Sequence, residues 1–168
     1  MLVHTTPQAG VLHAVALTSA GLFAGAALYV TAVEHPARFA LSADIARAAF
    51  KQSYPRAARL QAALATIASG ASFAVGYLYN SQPHYISAAA FLSIPIYTIG
   101  LMLPLNKRLQ FGSGTTKEIV TTTNTVAADS SVFADFRKWG LLHLTRVVVS
   151  GIGFGALVLA TPYAIGSI

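Results

Sequence analysis

Two short groups of ionisable residues in this chain are spaced for chemistry. His143 and Arg146 lie three apart, so on a helix they share one face. Glu34 and His35 are adjacent and immediately precede Pro36. A neutral imidazole takes up a proton near neutral pH, and a guanidinium stabilises an oxyanion as it develops. A carboxylate such as Glu34 can orient the base or hold the arginine. Trp139 and Tyr54 offer flat surfaces on which an aromatic ring can stack. Asn106 and Arg59 add polar groups for binding a substrate. His35, His143 and Glu34 are also a histidine and carboxylate donor set for a metal ion. Their positions follow no metal-motif spacing. His4, His13 and His84 read as loop or packing residues, with His13 toward the far end of its segment.

These groups act together only if the elements carrying them converge. Of the 168 residues, 55% are hydrophobic and 10% charged, and the mean hydropathy is +0.60. A soluble domain is about a quarter charged. The chain has no cysteine, which excludes disulfides, zinc–thiolate sites, iron–sulfur clusters and thiol redox chemistry. A membrane-spanning helix needs about 20 apolar residues. Four stretches qualify, at about 11–33, 60–79, 85–105 and 141–165. All are rich in Gly, Ala and Ser, which membrane helices use for close packing. Gly21 with Gly25, and Gly151 with Gly155, form GxxxG spacings and read as contacts between the chain's own helices. The link from Asn80 to His84, with Pro83 inside it, is short enough to make spans two and three antiparallel neighbours. The expected fold is all-α, a single domain over 1–168, and an integral membrane up-and-down four-helix bundle.

Charge gives the orientation. All eleven Lys and Arg residues fall between spans one and two, between spans three and four, or, for Arg146, just inside span four. By the positive-inside rule both long loops are cytoplasmic, and the N and C termini lie on the lumenal or exterior side. The net charge of +6 then needs no nucleic acid to explain it. Met1 to Gly10 has no basic stretch of the kind that opens a cleaved signal, so span one reads as a retained signal-anchor. A residue before proline is pushed away from helical geometry, which ends the first helix at His35. Ser42 is placed to cap a short amphipathic helix reaching Ser53. Gln110 to Asp135, rich in Ser and Thr, reads as a mobile or partly helical interfacial loop.

This topology gathers Glu34, His35, Tyr54, Arg59, Asn106, Trp139, His143 and Arg146 at the cytoplasmic mouth of the bundle and leaves the lumenal half nearly free of ionisable groups. Arg146 lies about 10 Å along its helix from Trp139, at about 1.5 Å per residue. A cation at that depth must snorkel, pair or line a wet cavity. Glu34 is its expected partner.

Four segments carry a family resemblance: GLFAGAALYVTAVEHPARF (Gly21–Phe39), YPRAARLQA (Tyr54–Ala62), IPIYTIGLMLPLNKRL (Ile94–Leu109) and FRKWGLLHLTRVVVSGIGF (Phe136–Phe154). In this order they resemble the four-helix membrane family named for fungal anthrone oxygenases, with EHP, PxNKRL and WxxxHxxR as the distinctive elements. The resemblance implies oxidation of an anthrone to an anthraquinone by molecular oxygen, on a flat phenolic polyketide entering from the lipid. It implies His35 or His143 as the base, Arg146 at the enolate oxygen and Glu34 in support. Trp139 and Tyr54 would lie against the ring plane. No nucleotide or flavin fingerprint is present, so no cofactor is expected, with a metal ion at His35, His143 and Glu34 as the alternative. The implied partners are a small aromatic polyketide, O2 and membrane lipid, without nucleic acid, and a homo-oligomer is compatible with the sequence. The endoplasmic reticulum is the location the resemblance suggests. The competing reading is a non-catalytic membrane scaffold or accessory subunit whose polar cluster holds helix register. A small transporter or channel ranks last, because no polar path crosses the lumenal half.

Overall fold

The computed structural model describes residues 7–112 and 122–165, with side chains at 7–112 and 130–161. Four long helices account for almost all of them. Helix α1 runs Pro7–Arg38, α2 Ala43–Tyr79, α3 Gln82–Phe111 and α4 Thr122–Ile165. Each packs chiefly on the next in the chain, and α4 closes against α1. All four are long and apolar enough to cross a membrane, as the sequence leads one to expect. Large apolar side chains face outward, with Leu159 74% exposed, while Asn106, Ser72, Ser87 and Ser150 are fully buried. This inverted distribution suits lipid, where bundle interiors are held by close packing and hydrogen bonds. The chain is a multi-pass membrane protein.

Two packing layers fill the bundle. In one, Ala16, Ala20, Phe23 and Ala27 line a single face of α1 against Ala65, Ala68, Phe91, Ile94 and Leu157. Phe23 and Phe91 meet edge to face at 5.6 Å. The other lies toward the basic end and is built from Phe50, Met102, Leu105, Leu109, Phe136 and Trp139. His143 and Arg146 sit on α4 between these layers. The GxxxG expectation holds only in part. A Cβ on Gly21 would touch Phe154, but Gly25, Gly151 and Gly155 have nothing within 4 Å. Closer approaches are at Gly140, beside His35, at Gly153, beside Phe91 and Ala90, and at Gly76, beside Tyr85.

Four local features differ from the sequence expectations. First, α1 does not stop at His35. A π-helical turn at Val30–Glu34 precedes Pro36, and His35 keeps helical angles (φ −65°, ψ −47°) with its N–H bonded to Val30 O. Proline has no N–H and its ring crowds the carbonyl four residues back; the wider turn relieves this, and the helix continues to Arg38. The same device recurs in α3, where the π turn Thr98–Met102 precedes Pro104. Second, Ser42 does stand at the N-cap position, but the helix it opens runs unbroken through Pro55 to Tyr79 rather than ending near Ser53. Third, the stretch from Gln110 to Asp135 is partly helical, one of the two expected alternatives, but its helix from Thr122 on is continuous with the fourth span instead of forming a separate interfacial segment; residues 113–121 lie outside the described ones. Fourth, α2 and α3 are joined by Asn80 and Ser81 alone. Asn80 adopts φ +49°, a left-handed conformation that asparagine tolerates at a helix end. His84 is therefore a helical, buried residue and not part of a loop.

Candidate functional site

Helix α4 places Trp139, His143 and Arg146 on one inward face, and all three are buried. The His143 ring stacks on Trp139, with centroids 4.6 Å apart and planes 21° apart. Trp139 donates its indole N–H to Asn106 Oδ1 at 2.8 Å, and Asn106 Nδ2 donates to the Tyr54 hydroxyl at 2.7 Å. One buried amide thus ties α4 to α2 through α3. Thr31, in the π turn of α1, shares a 2.9 Å hydrogen bond with His143 Nδ1. That bond fixes the ring's orientation.

Arg146 donates from Nη2 to Gln61 Oε1 at 2.6 Å and lies over the Phe23 ring at 5.5 Å. Its Nε is buried with no hydrogen-bond partner. No carboxylate pairs with it among the described residues. An uncompensated buried guanidinium is costly for the fold, so this one asks for a functional account.

The carboxylate expected at Arg146 is engaged elsewhere. Glu34 forms an ion pair with Arg38, one helical turn on, and also accepts from Ser53 Oγ at 3.4 Å. Arg38 is itself buried, with its guanidinium 5.3 Å from the Phe50 ring centroid, 5.4 Å from that of Trp139 and 5.9 Å from that of Phe136. The Glu34–Arg146 clamp is therefore corrected to a Glu34–Arg38 pair. Continuation of α1 through Pro36 makes the i, i+4 pair available, and it forms within a single helix.

Two cavities adjoin these groups. A small chamber of about 30 Å³ is walled by Glu34, Arg38, Tyr54, Trp139, His143 and Arg146. A larger bay of about 200 Å³ is lined mainly by apolar residues of α1, α2 and α3, among them Phe23, Ala65, Ile94, Pro95 and Ile99. It opens outward beside the exposed Ala62 and Ile99, toward the lipid-facing side of α2 and α3. Tyr54, Ala58, Gln61 and Arg146 belong to both walls. Arg146 and its bond to Gln61 thus stand where the two spaces meet.

Of the residues singled out in the sequence, Glu34, Tyr54, Trp139, His143 and Arg146 share the chamber wall. The other three do not. His35 faces a surface cleft with Phe39, Arg137, Gly140 and Leu141, its Nε2 pressed against Gly140 and its Nδ1 buried without a partner. Arg59 is exposed. Asn106 lies off both cavity walls, and its side chain is occupied by Trp139 and Tyr54. His35, His143 and Glu34 do not converge, and among the described residues no three His, Cys, Asp or Glu side chains are grouped to hold a metal ion. The sequence reading missed Arg38 and Thr31. The i, i+4 offset of Arg38 from Glu34 counts only if the helix passes Pro36, which the π turn alone allows; nothing local marks Thr31.

The far half of the bundle also departs from expectation. His13 Nδ1 and His84 Nε2 lie 2.9 Å apart, both rings buried, with Ser81 on His84 Nδ1 at 2.7 Å and Thr161 on His13 Nε2 at 3.2 Å. Since Thr161 gives its proton to Leu157 O, the chain of donors runs Ser81, His84, His13, Thr161. It joins α1, α3 and α4 as a closed, satisfied network.

The family model described as anthrone oxygenase matches residues 50–156. That stretch contains Tyr54, Gln61, Asn106, Trp139, His143 and Arg146 but not the segment of α1 that carries Thr31, Glu34 and Arg38. No curated protein and no solved structure matches the chain.

Proposed function

Because the chain belongs to the anthrone oxygenase family, we propose that it is a membrane-embedded oxygenase that converts an anthrone-like phenolic substrate to a quinone with O2. The observation that carries this reading is Arg146, a buried cation with no carboxylate partner among the described residues, at the inner end of an apolar bay that opens outward. A flat apolar molecule partitions into the bilayer and enters the bay sideways. Its carbonyl or phenolic oxygen meets the Arg146 guanidinium, which the bond to Gln61 holds in place.

An anthrone is a carbon acid. His143 lines the chamber beyond Arg146 and not the bay, so the reacting carbon must lie where the two spaces meet; there His143, bonded to Thr31 and stacked on Trp139, takes its proton as a neutral imidazole. The negative charge delocalises onto the oxygen beside Arg146, whose guanidinium is placed to stabilise it. The carbanion then reduces O2 and bonds to it, forming a peroxide on that carbon. Loss of the second carbon-bound hydrogen with cleavage of the O–O bond gives the quinone carbonyl and one water. One oxygen atom enters the product and the other leaves as water, so the substrate supplies all four electrons that reduce O2. His35, which lines a separate surface cleft and meets the chamber only through its ring contact with Trp139, takes no part in this scheme.

The experiment is quinone formation from an anthrone by the detergent-purified protein, measured against the uncatalysed oxidation. A second reading, a scaffold without catalysis, draws support from the buried Tyr54–Asn106–Trp139 network, which joins three helices. The two readings make opposite predictions for the removal of Arg146, developed below.

A further inference from the structure

The small chamber has donors that the proton-transfer scheme leaves unused. Arg38 Nη1 and Arg146 Nε are both buried without a hydrogen-bond partner, and both side chains wall the chamber. Two guanidinium groups face a single carboxylate, Glu34, which is already bonded to Arg38 and Ser53. The chamber therefore keeps a net positive wall. Its volume is about 30 Å³. One water needs roughly 10–15 Å³ of such space, so the space suits a species of two or three heavy atoms. Val30, Phe50, Ala57 and Trp139 supply an apolar share of the wall beside the polar Ser53, Tyr54 and Gln61. A space that is small, part apolar and cationic suits a diatomic molecule that enters neutral and becomes an anion.

We propose that this chamber is the dioxygen subsite, and that Arg38 and Arg146 together hold the anionic oxygen unit formed when electrons arrive from the substrate in the adjoining bay. The inference rests on the oxygenase reading given above. The carbanion passes one electron to O2, giving superoxide between the two cations. The radical pair then closes a carbon–oxygen bond to a peroxide anion, and the proton held on His143 moves to its outer oxygen. O2 is the only oxidant and the substrate the only reductant. Arg38 thereby touches the reacting oxygen, although it lies outside the matched stretch of the family.

Trp139 is the chain's only tryptophan and stands on the chamber wall, so its fluorescence reads occupancy directly. The full chain in detergent is titrated with sodium azide, a three-atom anion, with sodium sulfate at equal ionic strength as the oversize control. A saturable change with azide and none with sulfate is expected. Affinity should fall at least tenfold in Arg38→Gln, and also in Arg38→Lys, which keeps the charge in its aromatic cage but loses the forked N–H groups. Circular dichroism on both variants checks the fold. In turnover, azide should raise the KM for O2 and leave the KM for the anthrone unchanged. Quinone formation without a saturable azide response, or azide competing with the anthrone, overturns the subsite and leaves the oxygenase reading standing. Saturable azide binding lost in Arg38→Lys, with no quinone formed from any anthrone, overturns the dioxygen assignment together with the oxygenase reading.

Discussion

Replacing Arg146 by methionine separates a catalytic arginine from a structural one. The substitution removes a hydrogen bond from a charged donor to Gln61, at 2.6 Å, worth about 1.5–3 kcal/mol. It also removes a desolvated cation–π contact with Phe23, worth about 2 kcal/mol. Against these losses stands the desolvation of a 7% exposed guanidinium that no carboxylate offsets, a cost of several kcal/mol per buried ion. Methionine restores a similar volume without that cost. The net effect on stability is close to zero or favourable, and apolar replacements of buried ions reach about 1–4 kcal/mol of stabilisation. Turnover, in contrast, loses the group facing the developing oxyanion, and the expected fall is about 10²–10³-fold. Thermal loss of monodispersity in detergent reads the first quantity, and the rate of quinone formation reads the second. A melting temperature unchanged or raised, together with lost activity, fits the catalytic assignment. A loss of about 3–5 kcal/mol, as for a broken buried pair, with activity retained in the surviving fold, would refute it and favour the scaffold.

Further outcomes follow from the same geometry. His143→Ala should slow turnover about 10²–10⁴-fold, the range for removing a general base, whereas His35→Ala should retain most of it, since His35 is off the chamber wall; equal losses in steady-state rates would bring His35 back into the chemistry. Asn106→Leu leaves the Trp139 N–H and the Tyr54 hydroxyl unpaired, and at about 1–3 kcal/mol for each orphaned group should lower the melting point and shift Trp139 emission. Gly140→Ala sets a Cβ on His35 Nε2, and such overpacking costs about 1–3 kcal/mol, read as a lower melting temperature. His13→Leu breaks the bonds to His84 and Thr161 and should lower stability by about 1–3 kcal/mol with kcat unchanged, because the network lies at the opposite end of the bundle from His143.

What the sequence reveals of this molecule follows from physics that acts locally. Apolar length and scarcity of charge mark the four spans, because lipid demands them over every stretch of the helix. The shared face of His143 and Arg146 follows from helical geometry alone, and so does their meeting with Glu34 and Tyr54 once the bundle is up-and-down. Arg38 is hidden by Pro36: the usual effect of proline ends the helix before it, and only the π turn at Val30–Glu34 carries the helix on. The pairing of Glu34 with Arg38 instead of Arg146 depends on that same turn. His13 and His84 are 71 residues apart, and their contact depends on the rotational setting of two helices and the tight Asn80–Ser81 link. The helical start of α4 at Thr122 is likewise hidden, because a polar stretch rich in Ser and Thr has little helical propensity of its own. Asn106 and Arg59 resemble each other as polar residues near a helix end, yet one is fully buried and the other exposed; helix phase decides between them.

The central claim is that an anthrone-like substrate is oxidised in the bay that ends at Arg146. It is tested most directly by oxygen uptake and product absorbance when detergent-purified protein receives an anthrone such as emodin anthrone, with metal content determined on the same sample. The account predicts quinone formation well above the uncatalysed rate, one O2 consumed per quinone, and loss of the acceleration in Arg146→Met. Wild-type protein, folded and monodisperse, that leaves the uncatalysed rate unchanged across a panel of anthrones would contradict it.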